Sequence, residues 1–193
     1  VRQDSERKRS EETTLIKKCL DGNQKACREL YDTYKGYMYT ICVRYGVPDI
    51  DRKDMMQVIF SEVFRSLDRY DDEKAGFKTW LSRVGINHIL SYFRKHRNRD
   101  LPIYDIEVQA GSSENVLDQI SYKELLSLIS LMPESYRDIF NMVVLDGYTH
   151  KEVSEELEIS EELSRVLLFR GRKWMKVQLG KIENGDSSLR KVE

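Results

Sequence analysis

The stretch from Phe77 to Arg97, FKTWLSRVGINHILSYFRKHR, constrains the fold more than any other part of the chain. Trp80, Val84, His88 and Ser91/Tyr92 recur every three to four positions, as do Phe77, Leu81, Gly85, Ile89 and Phe93. Two neighbouring apolar series at that spacing predict a helix buried over a broad face, because a 3.6-residue period brings those positions together. The other face carries Lys78, Arg83 and Asn87, and the stretch ends in Arg94, Lys95, His96 and Arg97. Two readings fit that basic end. Cations in a last turn complement the negative end of the helix dipole. Aromatics interleaved with Arg and Lys can equally stack on bases while neutralising phosphates.

The segment before it, DMMQVIFSEVFRSLDRY from Asp54 to Tyr70, places Met55, Ile59, Val63 and Leu67 in one stripe. Phe60 and Phe64 lie beside that stripe, with Gln57, Ser61 and Arg65 on a flank. By pattern this is a surface helix of a bundle. Earlier still, Leu15, Ile16, Cys19 and Leu20 predict a short amphipathic helix, interrupted by Asp21–Gly22–Asn23. Asn23 can cap a second helix that runs through Ala26, Leu30, Tyr34, Met38, Ile41 and Tyr45, ending before Gly46–Val47–Pro48. Asp49, Asp51 and Asp54 suit the start of the helix that follows.

In the second half, Asp118 can cap a helix bearing Ile120, Leu125, Leu128, Ile129 and Leu131, and Pro133 opens another through Leu145. Thr149 can cap a helix over Lys151–Leu157. A turn at Ile159–Ser160 and a further helix from Glu161 then complete a helix-turn-helix pattern. No stretch sustains a period-two alternation, so the chain is expected to be all-α.

Phe77, Thr79, Trp80, Leu81, Arg83, Asn87, Arg94 and Lys95 together resemble the promoter-melting helix of extracytoplasmic-function (ECF) sigma factors, small two-domain initiation subunits of bacterial RNA polymerase. Asp54–Tyr70 resembles the polymerase-binding helix of that family, and LMPESYRDIFNMVVLDGYTHKEVSEELEIS from Leu131 resembles its C-terminal module. The resemblance runs from about Asp21 to Leu179, in the family's order and spacing.

It implies a region 2 helical bundle over 15–98 and a region 4 helix-turn-helix domain over 117–180. By composition, the acidic stretch 99–116 without helical period reads as a flexible linker, and the polar stretches 1–14 and 181–193 read as a disordered tail and a frayed one. The resemblance implies docking on the clamp helices of the polymerase's largest subunit through Asp54, Gln57, Phe60 and Glu62, with Phe60 as an apolar anchor. A flap contact on the second-largest subunit would engage the C-terminal domain. The Tyr70–Gly76 loop would hold a flipped base of melted minus-ten DNA beside Asn87. Asp71, Lys74, Phe77, Lys78, Trp80, Arg83, Arg94, Lys95 and Arg97 would line the same single strand. An amide offers both a donor and an acceptor to an exposed base edge, which makes the role of Asn87 chemically apt. As a plain pattern, the same loop reads as a solvated turn, and Trp80 reads as core.

The C-terminal module departs from the family pattern. Gly147 to Glu162 sets one cation, Lys151, against Glu152, Glu155, Glu156, Glu158, Glu161 and Glu162. Glutamates at the start of a recognition helix oppose phosphate. Arg165 is the one residue there with base-reading chemistry, backed by Arg170, Arg172 and Lys173 as phosphate contacts. Leu163, Leu167 and Trp174 read as a second apolar stripe and hence as a patch for a protein partner: an anti-sigma factor, a DNA-bound activator or an RNA-guided DNA-binding complex.

Charge divides the same way. Residues 1–98 hold 20 Lys and Arg against 15 Asp and Glu, and residues 99–193 hold 12 against 18. A basic front and an acidic back suit modules with different partners. Cys19, Cys27 and Cys42 lack metal-ligand spacing and are expected to be reduced thiols of a cytoplasmic protein. His88, His96 and His150 lie far apart in sequence, and no phosphate-cradling loop, nucleophile motif or apolar run long enough for a membrane is present. The expectation is a non-enzymatic initiation factor without cofactor or membrane insertion. The alternatives are a stand-alone helix-turn-helix regulator, which has no need of a polymerase-docking face at Asp54–Tyr70, and a sigma-like protein-interaction module recruited by another DNA-bound factor.

Overall fold

The computed structural model describes residues 2–96 and 121–183. Among them there are eight α-helices and no strand. The chain divides into two compact units, one of residues 1–42 and 47–97 and the other of 98–193 with the short stretch 43–46.

The first unit opens with α1 (Arg2–Leu20), followed by α2 (Gln24–Arg44), α3 (Asp49–Arg65), a 3-10 turn (Leu67–Arg69) and α4 (Phe77–His96). Helix therefore takes the place of the expected disordered tail over residues 2–14. Arg, Glu, Gln and Lys dominate the segment, all good helix formers, and no Gly or Pro precedes Gly22. Ile16 and Cys19 are buried and anchor α1 to the unit. Gly22 then breaks the chain at φ 79°, a conformation other residues adopt only with strain. Asn23 caps α2 as expected, its Oδ1 accepting from the N–H groups of Lys25 at 3.0 Å and Ala26 at 3.2 Å. At the α3 start Asp49 and Asp51 lie in the first turn and Asp54 beyond it, but the cap position is Pro48, with no side-chain bond.

Leu30, Met38, Ile41, Ile59, Val63, Phe77, Leu81, Ile86 and Ile89 form the core shared by α2, α3 and α4. Gly85 lets α2 approach: a Cβ there would lie 2.5 Å from the Met38 sulfur. Tyr92 ties α4 to α3, its hydroxyl donating to Asp51 at 2.8 Å. Burial pushes the Cys19 thiol up to about 12 and the Cys42 thiol to about 11, so both stay protonated near neutrality.

The second unit contains α5 (Tyr122–Leu131), α6 (Glu134–Phe140) continued by a π turn (Asn141–Leu145), α7 (His150–Leu157) and α8 (Glu161–Glu183). The cap of α5 is Ser121 rather than Asp118, which lies outside the described residues. Ser121 and Glu124 form a reciprocal capping box, one turn nearer the apolar run. Thr149 and Glu152 form a second box at α7, as the sequence predicts for Thr149. Glu158 turns the chain in a left-handed conformation, φ 55°, and α8 follows. Its core stripe is Leu167, Leu168, Gly171 and Met175. At Gly171 a Cβ would meet the Cβ of Tyr136 at 3.3 Å, so α6 and α8 touch nearly backbone to backbone. Helix α8 continues three residues past the domain end expected at 180; the linker 99–116 and the tail beyond 183 lie outside the described residues.

Candidate nucleic-acid interface

Two apolar series run along α4, and only one is core. Phe77, Leu81, Ile89 and Phe93 are buried, while Trp80, Val84, His88, Ser91 and Tyr92 are half-buried. The face turned to solvent runs Trp80, Arg83, Asn87, Ser91, Arg94, at intervals of three and four residues. One aromatic, one amide, one hydroxyl and two guanidinium groups thus line a single stripe about 20 Å long, from 1.5 Å of rise per residue. Lys95 is exposed but leaves the stripe. Lys78 also turns elsewhere, its ammonium 4.2 Å from the ring centre of Tyr37 on α2. Arg97 lies outside the described residues.

The stripe begins at the loop that links the 3-10 turn to α4. Asp71 organises this loop: its carboxylate pairs with Lys74 at 2.9 Å and accepts from the Glu73 N–H at 3.0 Å. The Lys74 bond and then the Glu73 bond hold the Asp71 carboxyl below its ordinary range, so it remains an anion. Tyr70 and Trp80 flank the loop with ring centres 5.6 Å apart, and Phe77 lies behind them, 5.3 Å from Tyr70 and 5.6 Å from Trp80. Phe77 is 1 % exposed. It cannot touch a strand directly, so its expected DNA contact is corrected to a supporting role.

The α3 helix corrects a second expectation. Phe60 is 4 % exposed, packed edge-on to Tyr31 at 4.7 Å and beside Phe64 at 6.2 Å, so it is core and not a docking anchor. The exposed face carries Asp54, Gln57, Val58, Ser61 and Arg65, with Glu62 half-buried and paired to Arg65. Ile50, 86 % exposed, is an apolar residue at the start of the same helix, and within the face itself the apolar residue is Val58, 52 % exposed. Sequence reasoning passed over it, although its spacing from Asp54 and Ser61 marks it as outward.

In α8, Leu167 is 4 % exposed, while Leu163 and Trp174 are half-buried. The expected partner patch is therefore largely internal packing: α8 lies on both α6 and α7 and buries two sides. His150 reinforces the α7 contact, its Nδ1 lying 2.8 Å from the buried Ser164 hydroxyl. The outward face holds Glu162, Arg165, Val166, Phe169, Arg172 and Lys173, with Phe169 68 % exposed. Arg165 is bonded to Glu161 of its own helix at 2.7 Å. Hydrogen bonds from the Glu162 backbone and the Ser160 hydroxyl keep the Glu162 carboxyl below its usual range. Lys151 is exposed on α7 and Arg170 is half-buried. Among the described residues no group of His, Cys, Asp or Glu is arranged to hold a metal, and no helix is long and apolar enough to cross a membrane.

Residues 30–99, which hold the α4 stripe and the α3 face, match the family Sigma-70 region 2. Residues 122–175, which hold the helix-turn-helix, match Sigma-70, region 4. The chain is 27% identical over 152 residues to the ECF RNA polymerase sigma factor SigM of Bacillus subtilis, covering 77% of this chain and 91% of that one. It is 28% identical over 171 residues to the ECF RNA polymerase sigma-E factor of Escherichia coli, covering 82% and 88%. A solved structure of CnrH in complex with the cytosolic domain of CnrY shares the fold with a TM-score of 0.50 at 19% identity, over 90% of this chain and 97% of that one. With both sigma regions in order on one all-helical chain, and relatives of one kind spanning most of its length, the protein belongs to the sigma-70 family as an ECF sigma factor.

Proposed function

We propose that this chain is a transcription initiation factor that binds core RNA polymerase through α3 and opens promoter DNA through α4. The observation that carries the proposal is the outward stripe Trp80, Arg83, Asn87, Ser91 and Arg94, which runs from the Asp71-ordered loop. Single-stranded DNA needs cations for its phosphates and rings for its bases, and a flipped base needs an amide-like partner for its edge. Asn87 reads the base, the Asp71–Gly76 loop encloses it, Trp80 offers a stacking edge, and Arg83 and Arg94 hold phosphates. The site performs no catalysis; binding of the melted strand shifts the equilibrium from closed to open DNA.

Polymerase docking falls to Asp54, Gln57, Val58 and Glu62, on the clamp helices of the largest subunit, while the second unit meets the flap of the second-largest subunit and upstream DNA. On this reading the factor works in the cytoplasm, at the nucleoid when polymerase-bound. A regulatory protein that covers these surfaces, as an anti-sigma factor would, fits the same reading.

Reconstitution with core polymerase tests the proposal. Promoter thymines should become permanganate-reactive only when the chain is present; equal reactivity without it contradicts the proposal. Replacing Gln57 by Ala and Val58 by Asp together should weaken the polymerase complex by about 1–3 kcal/mol with the fold intact. Unchanged affinity would favour a stand-alone regulator.

A second reading concerns the recognition helix alone. Arg165 is engaged by Glu161, and Glu162 is exposed and held ionised. Both weaken attraction to phosphate at the end of the helix that should enter the major groove. The reading that follows is weak direct recognition of minus-thirty-five DNA, with a protein partner aiding recruitment.

A further inference from the structure

Helix α1 precedes the region 2 match, which begins at residue 30, yet it reaches the loop assigned above to the melted base. The Arg9 guanidinium donates from Nη2 to the backbone carbonyl of Asp72 at 2.6 Å. One turn on, the Glu12 carboxylate accepts from the Tyr34 hydroxyl, and the Tyr34 ring packs edge-on to Phe77 at 5.1 Å. The same polar group reaches Tyr70: burial raises its hydroxyl's pKa, Glu12 and Asp72 add to the rise, and Arg9 opposes it. Helix α1 also packs on the 3-10 turn that leads into the loop. One helix thus grips the loop at its backbone through Arg9 and supports the ring beneath it through Glu12.

We infer that α1 is a positioning element for base selection and that Arg9 is its operative residue, holding the Asp71–Gly76 loop in the shape that accepts the flipped base. The inference rests on the proposed minus-ten reading. A guanidinium bonded to a main-chain oxygen fixes the path of the backbone whatever the neighbouring side chains are. A loop shifted by a fraction of an ångström loses discrimination before it loses binding, because selection depends on bonds aligned to one base edge.

The test uses the full chain with core polymerase and duplex promoters that differ at single minus-ten positions. Arg9→Ala should lower the ratio of open complex on the preferred promoter to that on the substituted one by about three- to tenfold, the scale of one hydrogen bond. Polymerase affinity should be unchanged. Arg9→Lys, which keeps one donor within reach, should restore part of the ratio. Amide exchange at 72–76 should quicken in Arg9→Ala while exchange in α3 does not. An unchanged ratio in Arg9→Ala, with Asn87→Ala flattening the preference, overturns the role of α1 and leaves the base-reading site standing. Unchanged ratios in both variants overturn the site as well. Equal losses of opening on every promoter, with a lowered melting temperature, would reduce Arg9 to a general stabiliser and also overturn the inference.

Discussion

Phe77→Ala is expected to destabilise the first unit by about 3–5 kcal/mol, the range for emptying an aromatic site in a packed core. Phe77 is 1 % exposed and touches the rings of Tyr34, Tyr70 and Trp80. Its removal leaves Tyr70 and Trp80 without the surface that sets their tilt beside the loop. Phe77→Leu retains most of the apolar volume and should cost less, with promoter opening near the wild-type level at temperatures where the variant is folded. Thermal unfolding paired with opening assays checks both. A Phe77→Leu variant that is stably folded yet unable to open promoters would contradict a role for Phe77 limited to packing volume.

The second large effect is a gain. Replacing Glu161 and Glu162 by Gln should strengthen binding of the helix-turn-helix to upstream promoter duplex, read as a lower Kd at low salt, because each carboxylate removed lessens repulsion of the phosphates. Two contributions combine: the loss of repulsion at the helix tip, and the release of Arg165 from Glu161. Binding across a salt series is the measurement, and the variant should show a steeper slope as more phosphates become neutralised. Sub-micromolar, sequence-specific binding and a steep slope in the unaltered protein would contradict weak direct recognition.

The fold was legible in the sequence because helix period, caps and breakers agree with one another. Asn23 and Thr149 cap where the local chemistry places them, and Gly22 breaks where a positive φ is required. What the sequence hid was which of two apolar faces points inward. On α4 the series through Trp80 and the series through Phe77 have the same period, and only the packing of α2 and α3 selects the latter. Phe60 and Leu167 misled for the same reason: an aromatic or a leucine beside a stripe is outward in an isolated helix, but inward once a third helix covers that flank. Val58 and Phe169 are the converse, apolar residues left outward because nothing among the described residues of their own unit covers them. The α1 helix was hidden by its polarity. Its hold on the unit comes from two buried side chains and from bonds made by Arg9 and Glu12, none of which produces a strong apolar pattern.

Asn87 and the loop from Asp71 are proposed to read a base in melted DNA. That reading is tested most directly by open-complex yield on promoters altered one position at a time through the minus-ten element, with the unaltered protein and with Asn87→Ala. One position should dominate for the unaltered protein, and Asn87→Ala should flatten the preference there by about tenfold, or about 1.4 kcal/mol, without changing polymerase affinity. Equal yields at every altered position, or a preference that Asn87→Ala leaves intact, would contradict it.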